Sequence, residues 1–308
     1  MPLYPLSQDY TLGEAHKLGF TIADFRRFLL MHPLSPGMKE VIQTFGAAGV
    51  PQFVCSDGNT VFINLVLEAN GLLQYFPADH IFANPAHIEE DGRIRVKFFQ
   101  NQTTHQNCPV NMCKGCVIQR IWQHDVLRRP FEPIPLPTEP VPTPYINDRG
   151  EIMNELPHLA GKTPEEINEY YRSFFPRHTS HAGFTPSPGE LRPYSYPGTT
   201  VYFGDGSNDL CAAKQLRPTD FMAGRDGHQL VRKYSSLFQK GEDVRASQPP
   251  FPTDYQAFLS RLTKSKSEGI VRAKLLKWGH YEDTEGVALR EVCRHVLQEV
   301  GLRVPERR

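Results

Sequence analysis

Val201-Tyr-Phe-Gly-Asp-Gly-Ser-Asn-Asp209 joins a short apolar strand to a turn that carries two carboxylates. Asp205 and Asp209 are four positions apart, so a tight turn or the start of a helix aims both side chains at one point. Hard oxygen ligands of this kind suit Mg²⁺, which keeps water or phosphate oxygens in its other positions. The alternative is an ordinary Asp/Gly-rich turn, but the strand directly before it favours a site. We therefore predict Asp205 and Asp209 as metal ligands and Mg²⁺ as the cofactor.

Short apolar strands alternate with helices on both sides of this motif. Strands are predicted at 52–55, 80–84, 93–98, 199–203 and 220–223. Helices are predicted at 13–31, 37–45, 60–70, 163–175, 210–216 and 254–300, with another inside 108–124. This alternation predicts an α/β fold with a doubly wound, mainly parallel sheet.

A second motif, Phe53-Val-Cys-Ser-Asp-Gly-Asn59, ends another predicted strand. The hydroxyl of Ser56 can donate to a phosphate oxygen there, assisted by the backbone amides of Asp57 and Gly58, because ligands bind at the carboxyl ends of parallel strands. Alone, these residues would form only a turn and a helix cap. The two downstream carboxylates favour phosphate binding.

The third motif is Cys108-Pro-Val-Asn-Met-Cys-Lys-Gly-Cys116. Lys114, just inside a predicted helix, can reach a phosphate as a point charge and neutralise a nearby carboxylate. Alone, it is a solvated helix residue. The Cys113 and Cys116 spacing also allows a zinc site with Cys108 and His105 as further ligands, although buried structural thiols are favoured over zinc.

Taken in order, these motifs resemble motifs two, three and four of the haloacid dehalogenase superfamily, and more closely the phosphoethanolamine/phosphocholine phosphatase family with its pyridoxal-phosphate phosphatase-like members. The resemblance covers about 30–125 and 198–230, and its most specific string is Cys108-Pro-Val-Asn-Met-Cys-Lys114. It implies Mg²⁺-dependent hydrolysis of small phosphomonoesters. Lys114 and Ser56 would then be catalytic, and Ser56, Asp57, Gly58 and Lys114 would bind phosphate.

The family's first strand ends in Asp-x-Asp-x-Thr, whose first aspartate attacks phosphorus, and no Asp-x-Asp occurs in this chain. The resemblance places that strand in the middle of the parallel sheet. We therefore expect a sheet whose central first strand is missing and catalysis impaired by orders of magnitude; either the sheet has repaired itself, or the sequence is a truncated gene model or fragment. The alternative is a non-catalytic relative that binds a phosphate-bearing ligand or a protein.

Four regions are predicted. They are a remnant of the helical cap at 1–36, an α/β core at 37–128 and 198–240, a Pro-rich insertion at 129–197, and a helical C-terminal extension at 241–308. Seven prolines between Pro130 and Pro144 forbid regular structure across their run, and this insertion is also a candidate surface for a protein partner.

The balance of charge excludes some partners. Lys plus Arg and Asp plus Glu each number 34, so there is no electrostatic reason to expect nucleic acid or an anionic membrane. No apolar run is long enough to span a bilayer, and the first residues do not resemble a signal peptide. We expect a cytoplasmic protein that binds a small phosphorylated metabolite.

Overall fold

The computed structural model describes residues 4–101, 108–123, 127, 131–139, 141–174, 198–234, 273–278 and 285–305. The described helices are α1 (Tyr4–Lys17), α2 (Ile22–Leu30), α3 (Met38–Ala47), α4 (Thr60–Ala69), α5 (Lys114–Ile121), α6 (Pro164–Phe174), α7 (Asp209–Ala213), α8 (Gln229–Tyr234) and α9 (Val287–Glu299). The described strands are β1 (Val54–Asn59), β2 (Ile81–Asn84), β3 (Ala86–Ile88), β4 (Ile94–Val96), β5 (Tyr145–Ile146), β6 (Ile152–Met153), β7 (Val201–Gly204), β8 (Phe221–Arg225) and β9 (Lys274–Trp278). Among the helices in these ranges, none is both long and apolar enough to cross a membrane.

The parallel strands form two small sheets. β1 pairs with β2, with Val54 opposite Ile81, and β8 lies between β7 and β9 in the second sheet. β3 and β4 form an antiparallel hairpin, as predicted for 93–98. The mixed α/β class with parallel strands is therefore confirmed. Among the described strands, the single sheet that we predicted is instead divided in two.

A cavity of about 780 Å³ is lined by both parallel sheets. Residues 52–55 of the β1 edge contribute to its walls, as do residues 199–203 of the β7 edge. Side chains of α3, α5 and α9 complete the lining. The two strands that carry the phosphate and metal motifs thus face a shared space instead of pairing with each other.

Helices cover both faces of the β7–β9 sheet. On one face, Met222 and Tyr202 are packed with Val117 of α5 in an apolar cluster. On the other face, Phe221 is packed with Leu289 of α9 and with side chains of α3. This layering of helix, sheet and helix is typical of α/β proteins and places the carboxyl ends of the strands at one rim.

The prediction of one continuous helix over 13–31 is wrong. The structure has two helices, α1 and α2, separated at Gly19, which has a φ of +86°. Thr21 then caps α2: its backbone N–H donates to the Asp24 carboxylate at 2.8 Å. Glycine at a left-handed position followed by a capping residue ends one helix and starts the next.

We predicted a helical C-terminal region, but part of this region forms a strand. Lys274–Trp278 forms β9, which pairs in parallel with β8 and buries Trp278. Backbone hydrogen bonds to β8 satisfy the polar backbone groups of this segment. It therefore forms a strand beside β8 although its residues have a weak strand propensity. The helical pattern from Val287 to Leu297 is confirmed as α9, whereas Phe258 and Leu262 lie outside the described residues.

Residues 145–174 pack on the helices near the N-terminus. Leu159 and Tyr171 are buried with Ile22 of α2 and Val61 of α4. The predicted helix is confirmed as α6, and the short β5–β6 hairpin begins directly after the proline run. Within the proline run, Val141 contacts α3, where Lys39 Nζ donates to its carbonyl at 3.0 Å. The role of the proline run as a surface for a protein partner stays a prediction.

Candidate functional site

The turn after β7 is organised around the carboxylate of Asp209. Asp209 is the first residue of α7 and is buried. Its Oδ2 accepts hydrogen bonds from the backbone N–H groups of Asp205 at 2.9 Å and Gly206 at 2.8 Å. Its Oδ1 accepts a hydrogen bond from the Tyr202 hydroxyl at 2.8 Å. A Cβ at Gly204 would lie 2.7 Å from this carboxyl group, so the turn requires glycine there.

Lys114 and Asp209 form a buried ion pair. Lys114 Nζ lies 2.7 Å from Asp209 Oδ1, and the two side chains are 10% and 5% exposed. Burial alone would lower the pKa of Lys114, but the negative groups around it, Asp209 above all, hold that pKa above its ordinary value. Lys114 is therefore charged, and its remaining N–H donors can serve an anion.

Asp57 lies beside this pair on a bulge of β1. Cys55 pairs with Phe82 and Asn59 with Asn84, so three residues of β1 bulge out opposite one residue of β2. The buried Asn84 side chain donates to the Asp57 carbonyl at 2.6 Å and holds the bulge in place. Bulges of this kind are common next to active sites, where they redirect a side chain.

One oxygen of the Asp57 carboxylate has a hydrogen-bond partner, and the other, called its open oxygen below, has none. Asn208 Nδ2 donates to Oδ2, while Oδ1 is buried and has no hydrogen-bond partner. Burial raises the pKa of Asp57 above its ordinary value, although Lys114 and the bond from Asn208 oppose that shift. An unpartnered buried carboxylate oxygen marks a position for a cation or a donor group.

We expect Asp57→Asn to stabilise the chain at neutral pH by about 1 kcal/mol, because it removes a buried carboxylate with an open oxygen. A carboxyl group whose folded pKa is raised is most favourable to folding below its ordinary pKa, which is 3.8 here, and becomes unfavourable as the pH rises through the folded value. The gain in melting temperature should therefore shrink as the pH falls towards 3.8. A gain that is equal at all pH values would contradict this assignment.

Ser56 stands next to Asp57 in the same bulge. Its Oγ accepts a hydrogen bond from the Gly58 backbone N–H at 3.1 Å, which closes a tight local turn. The structure thus brings Lys114 and Asp209 into contact, and Asn208 links their turn to Asp57. A direct contact of Ser56 with Lys114 is not among the contacts that the structure shows, so its phosphate-binding role stays a prediction.

Asp205 differs from Asp209 in its surroundings. Its side chain is 51% exposed, and its Oδ2 lies 3.5 Å from Nδ1 of His228. Asp205 therefore has oxygens open to a metal ion, whereas both oxygens of Asp209 already accept hydrogen bonds or the Lys114 ammonium. Carboxylate oxygens such as those of Asp205 and Asp57 are of the kind that Mg²⁺ prefers, and the binding of Mg²⁺ here stays a prediction.

Sequence reasoning missed several residues that support the site, namely Tyr202, Asn208, Asn84 and Cys211. Tyr202 and Asn208 lie inside the quoted motif but were read only as strand and turn residues. The cysteine set was also wrong in part: Cys108 and Cys113 lie in one cluster with Cys211, and Cys116 is outside it. His105 lies outside the described residues.

The comparisons with known proteins agree with this geometry. A family described as putative phosphatase matches residues 7–132. The pyridoxal phosphate phosphatase PHOSPHO2 of Bos taurus is 35% identical over 229 residues, which are 73% of this chain and 66% of that protein. Inorganic pyrophosphatase 2 of Arabidopsis thaliana is 34% identical over 114 residues, which are 36% of this chain and 40% of that protein.

A thiamine phosphate phosphatase-like protein of Arabidopsis thaliana is 26% identical over 231 residues, covering 74% of this chain and 66% of that protein. The chain therefore spans between 40% and 66% of the length of these relatives. No solved structure matches it. The parallel sheets and the lysine–carboxylate rim define a phosphatase-like α/β protein. The chain belongs to the putative phosphatase family within the haloacid dehalogenase superfamily.

Proposed function

We propose that this chain carries the phosphate and metal pocket of a Mg²⁺-dependent phosphomonoesterase that acts on small phosphorylated metabolites in the cytosol. The observation that carries the proposal is the buried Lys114–Asp209 pair at the carboxyl end of β7, with Asp57 and Asp205 beside it. A cation and several carboxylates at such a rim suit a phosphate group and a divalent metal ion together. Related proteins named for pyridoxal phosphate and thiamine phosphate support a small phosphomonoester as the substrate class.

In this proposal, Asp209 is a positioning residue and does not bind the metal ion directly. Its carboxylate orients the Lys114 ammonium and fixes the turn that carries Asp205. Lys114 then donates to phosphate oxygens and balances their charge. Ser56 and the backbone N–H groups of the β1 bulge supply further donors to the same phosphate.

Asp205 and Asp57 would hold Mg²⁺. When bound, the ion would polarise a phosphate oxygen and help to neutralise the charge that develops on phosphorus. Asp205 is exposed enough to bind an incoming ion, and Asp57 has a buried oxygen without a hydrogen-bond partner. The residues of the chain thus orient the phosphate and neutralise its charge, but none of them is placed as the attacking aspartate.

We further propose that the pocket lacks the central strand of the sheet. The cavity lined by residues 52–55 and 199–203 supports this idea, because both walls are edges of parallel sheets. Parallel strands lie about 4.8 Å apart, so one extended strand could pair with both edges. A strand in that position that ended in Asp-x-Asp would bring its carboxylates to the same rim as Lys114 and Asp205.

The second candidate function is non-catalytic binding of a phosphate-bearing ligand. The observation that favours it is the absence of Asp-x-Asp from all 308 residues. The remaining groups can bind phosphate and metal, but a covalent aspartyl-phosphate needs the missing nucleophile.

The test compares the 308-residue chain with a version extended at Met1 by an apolar strand ending in Asp-x-Asp-x-Thr. We expect the extended chain to hydrolyse p-nitrophenyl phosphate, phosphocholine or pyridoxal phosphate with Mg²⁺ at least about 10³-fold faster than the unextended chain, because the extension supplies a nucleophile. Steady-state phosphate release measures both rates.

Asp205→Ala in the extended chain is expected to lower this activity by at least about 10²-fold, since it removes an open metal ligand. Asp148→Ala is the matched control, because Asp148 is an exposed aspartate in the turn between β5 and β6 and should leave the rate unchanged. If the extended chain folds and shows no Mg²⁺-dependent turnover, the catalytic proposal fails. Phosphate binding by the unextended chain would then favour the second candidate.

A further inference from the structure

Three cysteine sulfurs meet beside the Lys114–Asp209 pair. The Sγ atoms of Cys108 and Cys113 are 3.8 Å apart, and those of Cys113 and Cys211 are 3.5 Å apart. All three sulfurs lie within 4.8 Å of one another. Cys211 comes from a helix 98 positions further along the chain, so the fold and not a local motif assembles the group.

The helix packing around these thiols accommodates their approach. Gly115 follows Lys114 in α5, and a Cβ at this position would lie 2.8 Å from the Cys211 sulfur. Glycine therefore lets α5 come close enough to α7 for Cys113 and Cys211 to meet. Cys113 is buried, while Cys108 and Cys211 are half-buried.

The spacing of the sulfurs shows that they are free thiols and fits a metal site. A disulfide needs about 2.05 Å between its sulfurs, which is far shorter than either distance here. Thiolates about 2.3 Å from one tetrahedral Zn²⁺ lie about 3.8 Å from one another. The observed 3.5 Å and 3.8 Å match the edges of such a tetrahedron.

We propose that Cys108, Cys113 and Cys211 form a three-thiolate site for Zn²⁺, separate from the Mg²⁺ site. Each cysteine releases its proton to solvent when its sulfur binds the ion, and no oxidation takes place. The fourth position is left for water or for a donor of a bound ligand. Because Cys113 precedes Lys114 and Cys211 lies two residues after Asp209, a bound ion would also hold α5 and α7 together around the pocket.

The test uses the full reduced chain and Zn²⁺ or Co²⁺ alone as the probe. We expect one equivalent of zinc to remain after dialysis, measured by elemental analysis, and a thiolate-to-cobalt charge-transfer band with Co²⁺. The band should disappear in Cys211→Ser and be retained in Cys116→Ser, a matched control whose buried thiol lies outside the cluster. Absence of both signals, or equal losses in both variants, would overturn the proposal.

A second measurement avoids variants that fail to fold. In the unmodified chain, zinc should protect three of the six cysteines from a thiol reagent, and peptide mapping should identify them as Cys108, Cys113 and Cys211. Protection of a different set would overturn the assignment. A disulfide among these cysteines that forms in air and excludes zinc would also overturn it.

Discussion

Replacing Asp209 with Ala is expected to lower the free energy of unfolding by about 3–5 kcal/mol, which is the cost of leaving one member of a buried ion pair without its partner. The variant leaves the Lys114 ammonium buried without its closest carboxylate, 2.7 Å away in the parent chain. It also leaves the Tyr202 hydroxyl and two backbone N–H groups without their acceptor. Chemical denaturation followed by circular dichroism measures this change, which corresponds to a fall in Tm of about 10 °C.

Lys114→Met tests the same pair from the other side. We expect a smaller loss of stability than in Asp209→Ala, because the Asp209 carboxylate keeps three donors when the lysine is removed. The double variant should cost less than the sum of the single variants, since neither charge is then left alone in the pocket. Equal losses in the two single variants would contradict the central position that we give to Asp209.

The exposed pair Lys274–Glu299 provides the control. Its atoms are 2.9 Å apart, but the side chains are 53% and 43% exposed. Glu299→Ala is therefore expected to leave the denaturation midpoint nearly unchanged, as is usual for surface ion pairs. A comparable loss in both pairs would show that burial does not explain the effect at Asp209.

The centre of the site could be predicted because its signals are local. A strand that ends in Gly-Asp-Gly fixes where Asp205 and Asp209 leave the sheet, whatever the rest of the chain does. Lys114 was predicted for its position at the start of a helix, and the structure places it there. The ends of parallel strands meet at one rim, so these predictions converged on one place.

The partners within the site could not be predicted in the same way. Cys211 contacts Cys113 only because α5 packs on α7, and nothing in either segment alone specifies that packing. The different roles of Asp205 and Asp209 also depend on burial, because Asp205 is exposed whereas Asp209 is surrounded by hydrogen-bond donors. The motif gave both aspartates the same role, whereas the structure separates their surroundings.

Two of the errors in the predicted secondary structure have different origins. The break at Gly19 had a signal, because Thr21 and Asp24 form a capping pair three residues apart directly after the glycine. For β9 we find no such local signal, since Lys274-Leu-Leu-Lys-Trp278 contains no β-branched residue. This segment is a strand because it pairs with β8. A strand selected by tertiary pairing is not visible in periodicity alone.

A buried ionic network connects α2 with residues 155–171. Arg26, whose side chain is 2% exposed, makes two hydrogen bonds to the Glu155 carboxylate, at 2.8 Å and 2.5 Å. Nearby, Glu68 of α4 accepts hydrogen bonds from the hydroxyls of Tyr171 at 2.6 Å and Tyr170 at 2.9 Å. These contacts fix the region after the proline run to the helices near the N-terminus.

Arg26→Met is expected to lower the free energy of unfolding by about 3–5 kcal/mol, because it leaves the carboxylate of Glu155 without its bidentate partner in a mostly buried position. Arg294→Met is the matched control, since the Arg294 side chain is 48% exposed on α9, pairs there with Glu291 and should cost less than about 1 kcal/mol. Limited proteolysis adds a local measurement: Arg26→Met should speed cleavage between 145 and 174, because this region loses its strongest polar contact with α2. Similar losses in the two variants, or unchanged cleavage in Arg26→Met, would show that apolar packing around Leu159 and Tyr171 holds the region without the ionic network.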